Sequence, residues 1–147
     1  MPYEFLDLAD EDAYRTHFIT EYCRRPIVSV HGFPVYFAPA SFEHAFFEST
    51  ERNGVKDQFS AARSMRINWI GESLVDSQAS WYQGWNSRTK IYDSHQPVCV
   101  AYGDFAVIIR LSNKKDGSVK GNYVTSYWAD NSIGKIRKSP LWISSTE

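Results

Sequence analysis

Two arginines, Arg63 and Arg66, stand in a segment whose apolar residues recur with helical spacing. Between residues 57 and 75, Phe59, Ile70 and Leu74 form one stripe on a helical wheel, and both arginines fall inside it. An apolar face ordinarily excludes guanidinium groups, because burying one without a partner is costly. Two forked donors one helical turn apart can hold a phosphodiester and stabilise charge that grows on it.

Internal pairing would explain the same arginines without any ligand. Glu43, Glu48 and Glu72 are carboxylates that a buried arginine could pair with, and a long side chain can also extend to the edge of the core. Stability distinguishes the two interpretations. Truncating a structural buried arginine costs about 3–5 kcal/mol, whereas removing a ligand-facing one leaves stability unchanged or raises it.

His44 is the second candidate for chemistry. A short helix is predicted from Phe42 to Ser49 with Ser41 as its N-cap, and on it His44 lies nearly opposite Phe42, which faces the core. An accessible imidazole suits proton transfer near neutral pH, although an accessible histidine is more often a surface residue than a catalyst. The remaining histidines, His17, His31 and His95, have weaker cases.

Residues 123–128 form a predicted strand that is rich in hydroxyl groups. Strict alternation sends Tyr123, Thr125 and Tyr127 to one face and Val124, Ser126 and Trp128 to the other. On such a face Thr125 can donate to a phosphate oxygen while an aromatic ring stacks on a base. A solvated sheet face with ordinary β-prone residues is the alternative.

Several common catalytic motifs are absent from the sequence. It has no GxxxxGK[ST], GxGxxG, HExxH or GxSxG, and no paired-carboxylate metal signature. Cys23 and Cys99 lie far apart without CxxC or Cys/His spacing, so neither a disulfide framework nor a zinc site is indicated. We therefore expect chemistry by His, Arg and hydroxyl groups, with no metal and no cofactor.

The elements that position these residues change character along the chain. Helical patterns occupy about residues 10–76, beginning with a helix that starts near Asp10, and β-like runs occupy about 88–130. Gly103-Asp104 and 115–117 supply turns, which favours an antiparallel meander. The sequence predicts one α+β domain over residues 1–147, with N-terminal helices packed on a small antiparallel β-sheet and a basic C-terminal tail over 131–147.

Composition restricts the setting of the protein. The chain has 147 residues and no run of about 18 apolar residues, and its start is acidic, so we expect a soluble cytoplasmic protein that does not enter a membrane. Residues 1–87 carry 7 Lys+Arg against 12 Asp+Glu, whereas residues 88–147 carry 9 against 5. The C-terminal part is thus the part that would face an anion.

Four stretches resemble one family in order and in residue type: residues 42–46, 59–70, 104–111 and 123–127. They are similar to the phage and mobile-element branch of the barnase/EndoU/colicin/RelE-like (BECR) nucleases, over about residues 27–142. The resemblance implies a barnase/EndoU-like fold of helices on a small antiparallel sheet. It also implies a metal-independent, toxin-like ribonuclease that makes a 2′,3′-cyclic phosphate by attack of a ribose 2′-hydroxyl.

The resemblance also implies roles for individual residues. His44 would be the general base or acid, Arg63 and Arg66 would contact the scissile phosphate, and Thr125 would supply a hydroxyl with Tyr127 nearby. The residues expected to bind the RNA substrate are Lys90, Tyr123, Arg137 and Lys138. The second acid or base stays open among His31, His95, Glu43 and Glu48. A toxin further implies an antitoxin or immunity protein, expected to be acidic and to cover the arginines.

Two other functions compete with this one. A non-catalytic RNA- or protein-binding module of the same fold would use the arginines for internal pairing. An ADP-ribosyltransferase-like toxin also combines Arg, a hydroxyl strand and aromatic residues, but the sequence has no downstream acidic catalytic motif to support it.

Overall fold

The computed structural model describes residues 3–48, 58–86, 91–93, 97–129 and 133–142. The helices are α1 (Glu11–Phe18), which continues as a π-helical turn (Ile19–Cys23), α2 (Ser41–Phe46), α3 (Ala61–Ser64), α4 (Ile67–Val75) and α5 (Ile133–Ile136). The strands are β1 (Ile27–Val28), β2 (Pro34–Tyr36), β3 (Phe47–Glu48), β4 (Gln58–Phe59), β5 (Ser80–Tyr82), β6 (Gly84–Asn86), β7 (Ile91–Asp93), β8 (Val98–Tyr102), β9 (Phe105–Asn113) and β10 (Val119–Trp128). The candidate residues Lys90 and His95 lie outside the described ranges.

The main sheet has six strands in the order β1-β2-β10-β9-β8-β5. The meander of β8, β9 and β10 is antiparallel, which confirms that part of the prediction and the α+β class. The sheet as a whole is mixed, however, because β2 pairs parallel to β10, with Val35 opposite Gly121. A Cβ on Gly121 would lie 3.3 Å from side-chain atoms of Phe33 and Val35, so the bare backbone lets these two residues pack directly on β10.

The sheet has two faces with different neighbours. One face, the core face, is covered by α1, α2 and α4, and its fully buried side chains include Phe18, Phe42, Ile70, Val107 and Ile109. The opposite face is called the outer face here. Its β5, β8 and β9 portion carries a smaller cluster, built from Tyr82, Cys99, Ala101, Ala106 and Ala129 and packed against Ile133 and Ile136 of α5. The main core therefore lies between the sheet and the N-terminal helices.

The first helix begins where its sequence predicts. The Asp10 carboxylate accepts from the backbone N–H of Ala13 at 2.9 Å and so caps α1. Tyr14, Phe18 and Tyr22 follow at intervals of four and are buried on one side.

The second predicted helix is shorter than expected. It ends at Phe46, and Ala40, not Ser41, is its N-cap, with no side-chain cap bond. Phe47 has an extended backbone and begins β3, which pairs antiparallel with β4. This pairing ends the helix before Ser49.

The predicted single helix over residues 57–75 is wrong. The segment forms β4, then α3, then α4, and Arg66 is the N-cap residue of α4 with φ −98° and ψ 18°. Ser60 accepts from the N–H of Arg63 through its side chain and starts α3. Because the helix restarts at Ile67, Arg63 and Arg66 do not share one continuous helical stripe.

Within the described part of the chain, no helix combines the length and the apolar character that crossing a bilayer requires.

Candidate functional site

A β-bulge in β10 decides which of its side chains face the same way. Tyr123 pairs with Ile109 and Thr125 pairs with Ile108, so Val124 is an extra residue in β10. The predicted alternation from Tyr123 to Tyr127 on one face is therefore wrong. Tyr123 lies on the core face, whereas Thr125 and Tyr127 lie on the outer face.

Tyr123 is part of the core. It is 4% exposed, its ring packs against Phe18 and Phe37, and its hydroxyl lies 2.7 Å from Oγ of Ser126. Burial raises the pKa of Tyr123 above its ordinary value. Its hydroxyl is thus hydrogen-bonded inside the protein, whereas the strand pattern predicts it on an open face of hydroxyl groups.

Thr125 and Tyr127 have different surroundings on the outer face. Tyr127 packs against the smaller cluster, and burial raises the pKa of its phenol. Thr125 is partly exposed. Both residues are therefore partly buried on this face.

An open depression of about 400 Å³ lies between α2 and the strands β9 and β10. Its polar lining includes His44, Arg110 and Asn122. The other lining residues are Ala40, Ser41, Tyr123 and Val124, so none of the described carboxylates lines it. A cation and an imidazole on one concave surface can bind an anion and exchange a proton with it.

The sequence of α2 explains why His44 reaches this depression. Phe42, Ala45 and Phe46 are buried, and α2 packs against β10. His44 is not among these buried residues and stays exposed beside the contact with β10, where it lines the depression. The exposed imidazole that the helical wheel predicts is confirmed.

Arg63 lies beside the end of α2. Its Nη1 donates to the carbonyl oxygen of Ala45 at 3.3 Å, and its Nε lies 3.8 Å from a carboxylate oxygen of Glu48. Glu48 is 55% exposed, so this ion pair is weak. The charge of Arg63 also acts to lower the pKa of Tyr123, in opposition to burial. Arg63 therefore approaches the residue next to His44 and the edge of β10.

Arg66 points to a different group of residues. Its guanidinium lies over the rings of Phe5, Trp69 and Trp128, and its Nη1 donates to the carbonyl of Ala62 at 2.9 Å. Its Nε is buried without a hydrogen-bond partner, and burial lowers the pKa of Arg66. Among the described residues no carboxylate pairs with it, so the alternative of internal salt bridges fails for Arg66 and holds weakly for Arg63.

Sequence reasoning missed a row of residues on the outer face. Arg110 of β9 pairs in register with Asn122 of β10, and Asn122 pairs with Tyr36 of β2. Next to this row, Lys114 and Lys120 place their ammonium groups over the ring of Tyr36. Alternation along β9 indicates that Arg110 faces away from the core, but no local signal indicates the parallel pairing that brings Tyr36 beside it.

Two predicted substrate-binding residues lie at the other end of β9. Arg137 donates to the carbonyl of Gly103 at 2.6 Å and to the hydroxyl of Tyr82 at 3.3 Å, and Lys138 is exposed next to it. The stretch of β9 from Phe105 to Arg110 spans roughly 17 Å at strand rise. The structure therefore does not bring Arg137 and Lys138 together with His44.

The candidates for a second acid or base have different neighbours in the structure. His31 contacts the rings of Trp81 and Trp142. Glu43 accepts a hydrogen bond from Arg15 at 2.7 Å, which holds the pKa of Glu43 below its ordinary value. Glu48 is the one that lies beside Arg63, whereas His95 is outside the described residues.

In the described ranges, no three His, Cys, Asp or Glu side chains come together as ligands for a metal ion. No protein-family model, curated protein or solved structure matches this chain.

Proposed function

We propose that this protein is a metal-independent endoribonuclease of the barnase/EndoU/colicin/RelE-like kind, with its reaction centre at the depression beside α2. The observation that carries the proposal is the shared position of His44 and Arg110 in one open concave surface that no described carboxylate lines. Arg63 approaches from the end of α2. This set provides one group for proton transfer and two cations for a phosphodiester.

The reaction needs no redox partner. His44 accepts the proton of a ribose 2′-hydroxyl, the 2′-oxygen forms a bond to the adjacent phosphorus, and the bond from phosphorus to the 5′-oxygen breaks. The departing oxygen takes the electron pair and a proton from solvent. The products are a 2′,3′-cyclic phosphate and a 5′-hydroxyl, and Arg63 and Arg110 stabilise the charge on the phosphorane-like transition state.

The remaining residues have supporting parts in this proposal. Thr125 is a partly exposed residue of the outer face, next in the chain to Val124 of the depression, and would donate its hydroxyl to a phosphate oxygen. The place of action in this proposal is the cytoplasm. An inhibitor protein with an acidic surface would block the depression by pairing with Arg110.

The test is cleavage of total RNA by the full chain in excess EDTA, with analysis of the fragment ends. His44→Gln is the test variant and His17→Gln is its control. His17 lies on α1, where its ring is hydrogen-bonded to Asn68 of α4 at 2.8 Å, and it does not line the depression. We expect cyclic-phosphate ends from the wild type and from His17→Gln, and a loss of about 100-fold or more in His44→Gln. Thermal unfolding of each variant shows whether a loss reflects unfolding.

Two results would contradict the proposal. Equal cleavage by His44→Gln and the wild type would remove His44 from the reaction. RNA left intact by the wild type, with binding to the same RNA retained, would instead favour the non-catalytic binding module.

A further inference from the structure

Tyr36 is an exposed aromatic ring with two cations over it. The ring is on the outer face and the residue is 37% exposed. The Nζ atoms of Lys114 and Lys120 lie 5.8 Å and 5.9 Å from its centroid. Such distances are within the range of cation–π contact, and neither lysine is in an ion pair with another described residue.

Three strands build this arrangement. The β9–β10 hairpin turns at Gly117, which has φ +89°, and the N–H of Lys114 donates to the carbonyl of Ser118 at 2.8 Å. This hydrogen bond and turn hold Lys114, which directly follows β9, close to Lys120 of β10. The parallel pairing of β2 with β10 then places Tyr36 beneath them.

Positive charge predominates on this part of the outer face. Arg110, Lys114 and Lys120 are cationic, and the nearest described carboxylate on the hairpin is Asp116 at its turn. Asp116 accepts hydrogen bonds from the hydroxyl and the N–H of Ser118, at 2.6 Å and 2.9 Å, and these bonds, together with the positive charge of Lys114, lower the pKa of Asp116. It is thus held within the turn by Ser118.

We propose that Tyr36, Lys114 and Lys120 form a binding subsite for unpaired RNA. The two ammonium groups leave the ring to pair with adjoining phosphates, and one base stacks on the ring face that they covered. The inference rests on the proposed function, because the bound RNA strand then passes over Asn122 and reaches Arg110 and His44. Tyr36 and Arg110 are two strand spacings apart, roughly 10 Å.

The chemistry selects single strands over duplexes. Proteins that bind single-stranded nucleic acid combine cations along the backbone with aromatic rings on which bases stack. A base inside a duplex cannot offer its face to a ring on a sheet, because both faces are occupied by neighbouring bases.

The experiment measures binding separately from cleavage. The probe is a short, labelled 2′-O-methyl oligoribonucleotide of mixed sequence, which lacks the free 2′-hydroxyl and cannot be cleaved. The full chain is titrated in excess EDTA as the wild type, Tyr36→Ala, Tyr36→Phe, the double variant Lys114→Met/Lys120→Met, and the control Lys135→Met on α5. The same probe annealed to its complement tests the preference for single strands.

We expect Tyr36→Ala to weaken single-strand binding by about tenfold and Tyr36→Phe to retain it, since a phenyl ring also stacks. The double lysine variant should lower the salt slope of log K by about 0.7 for each phosphate that no longer pairs with a lysine. Lys135→Met should bind as the wild type does, and the duplex should bind more weakly.

Equal affinities for Tyr36→Ala and the wild type would overturn the subsite, and so would the absence of probe binding by the wild type or tighter binding to the duplex. Cleavage of natural RNA is scored apart from these titrations. Binding that depends on Tyr36 in a protein that leaves RNA intact would support the subsite while contradicting the endoribonuclease. Cleavage that depends on His44, without any effect of Tyr36→Ala on binding, would support the endoribonuclease and contradict the subsite.

Discussion

The guanidinium carbon of Arg66 lies 4.8 Å from the centroid of the Trp128 ring, and this contact joins the start of α4 to the end of β10. The same carbon atom lies 5.2 Å from the centroid of the Phe5 ring and 5.3 Å from that of the Trp69 ring. Three aromatic rings therefore take the place that a carboxylate would have in a salt bridge.

Two substitutions of Arg66 should separate the contribution of its aliphatic stem to stability from that of its charge. Arg66→Met keeps the stem and removes a buried Nε without a partner, so we expect an unfolding free energy within about 1 kcal/mol of the wild type, or higher. Arg66→Ala removes the stem and its packing on the rings and should lower the unfolding free energy by about 1–2 kcal/mol. Urea denaturation measures both.

An activity assay adds a second readout for Arg66. If Arg66→Met loses RNA cleavage while its stability is retained, Arg66 contacts the substrate, as the family resemblance implies. Unchanged cleavage would restrict its role to packing.

Ser126→Ala should lower the unfolding free energy by more than the loss of one small hydroxyl group alone would. The hydroxyl of Tyr123 would remain buried without its partner, which costs about 1–3 kcal/mol. Adding Tyr123→Phe removes the unpaired group, and the double variant should regain much of that stability. A double variant no more stable than Ser126→Ala would show that the hydrogen bond is not what Ser126 contributes.

The two cysteines should differ in reactivity. Cys99 is 8% exposed and burial raises the pKa of its thiol to about 12, whereas Cys23 is only partly buried and the pKa of its thiol is raised less. Near pH 8 a disulfide reagent should modify Cys23 slowly and Cys99 only after unfolding. Cys23→Ser is the control, and rapid native-state labelling in that variant would contradict the buried position of Cys99.

Alkaline pH should destabilise the fold through buried tyrosines. Burial raises the pKa of Tyr22 and Tyr123 above 10.0, the value expected in the unfolded chain. A group whose pKa is higher in the folded state contributes stability that is complete below its unfolded pKa and is lost as pH rises above it. We therefore expect the unfolding free energy to fall above about pH 10, and Tyr22→Phe and Tyr123→Phe each to flatten that decline.

Near-ultraviolet absorbance of phenolate checks the same point directly. The two tyrosines should titrate only as the protein unfolds. Titration of all nine tyrosines in the folded protein near pH 10 would contradict the burial of Tyr22 and Tyr123.

Local patterns along the chain were sufficient for several features. The cap at Asp10, the buried spacing of α1, the exposure of His44 and the antiparallel order of β8, β9 and β10 all follow from contacts between residues that are close in sequence. Helix capping, helical periodicity and tight turns are short-range effects, so a sequence displays them.

Two features depended on distant partners. Val124 becomes a bulge only when β10 is aligned on β9, and the alignment reverses the faces of Thr125 and Tyr127 relative to Tyr123. The segment around Arg63 and Arg66 looks like one helix, but the pairing of β4 with β3 and the cap at Ser60 divide it.

The sequence by itself determined that the chain forms an α+β fold with an exposed histidine on a short helix and two arginines near the core. Only the tertiary structure decided that Arg66 belongs to an aromatic cluster, and that Arg110 and Tyr36 share a row beside His44. The physical reason is that β2 and β10 are far apart in the chain. Their parallel pairing depends on the packing of Phe33 and Val35 on Gly121, which no local pattern reveals.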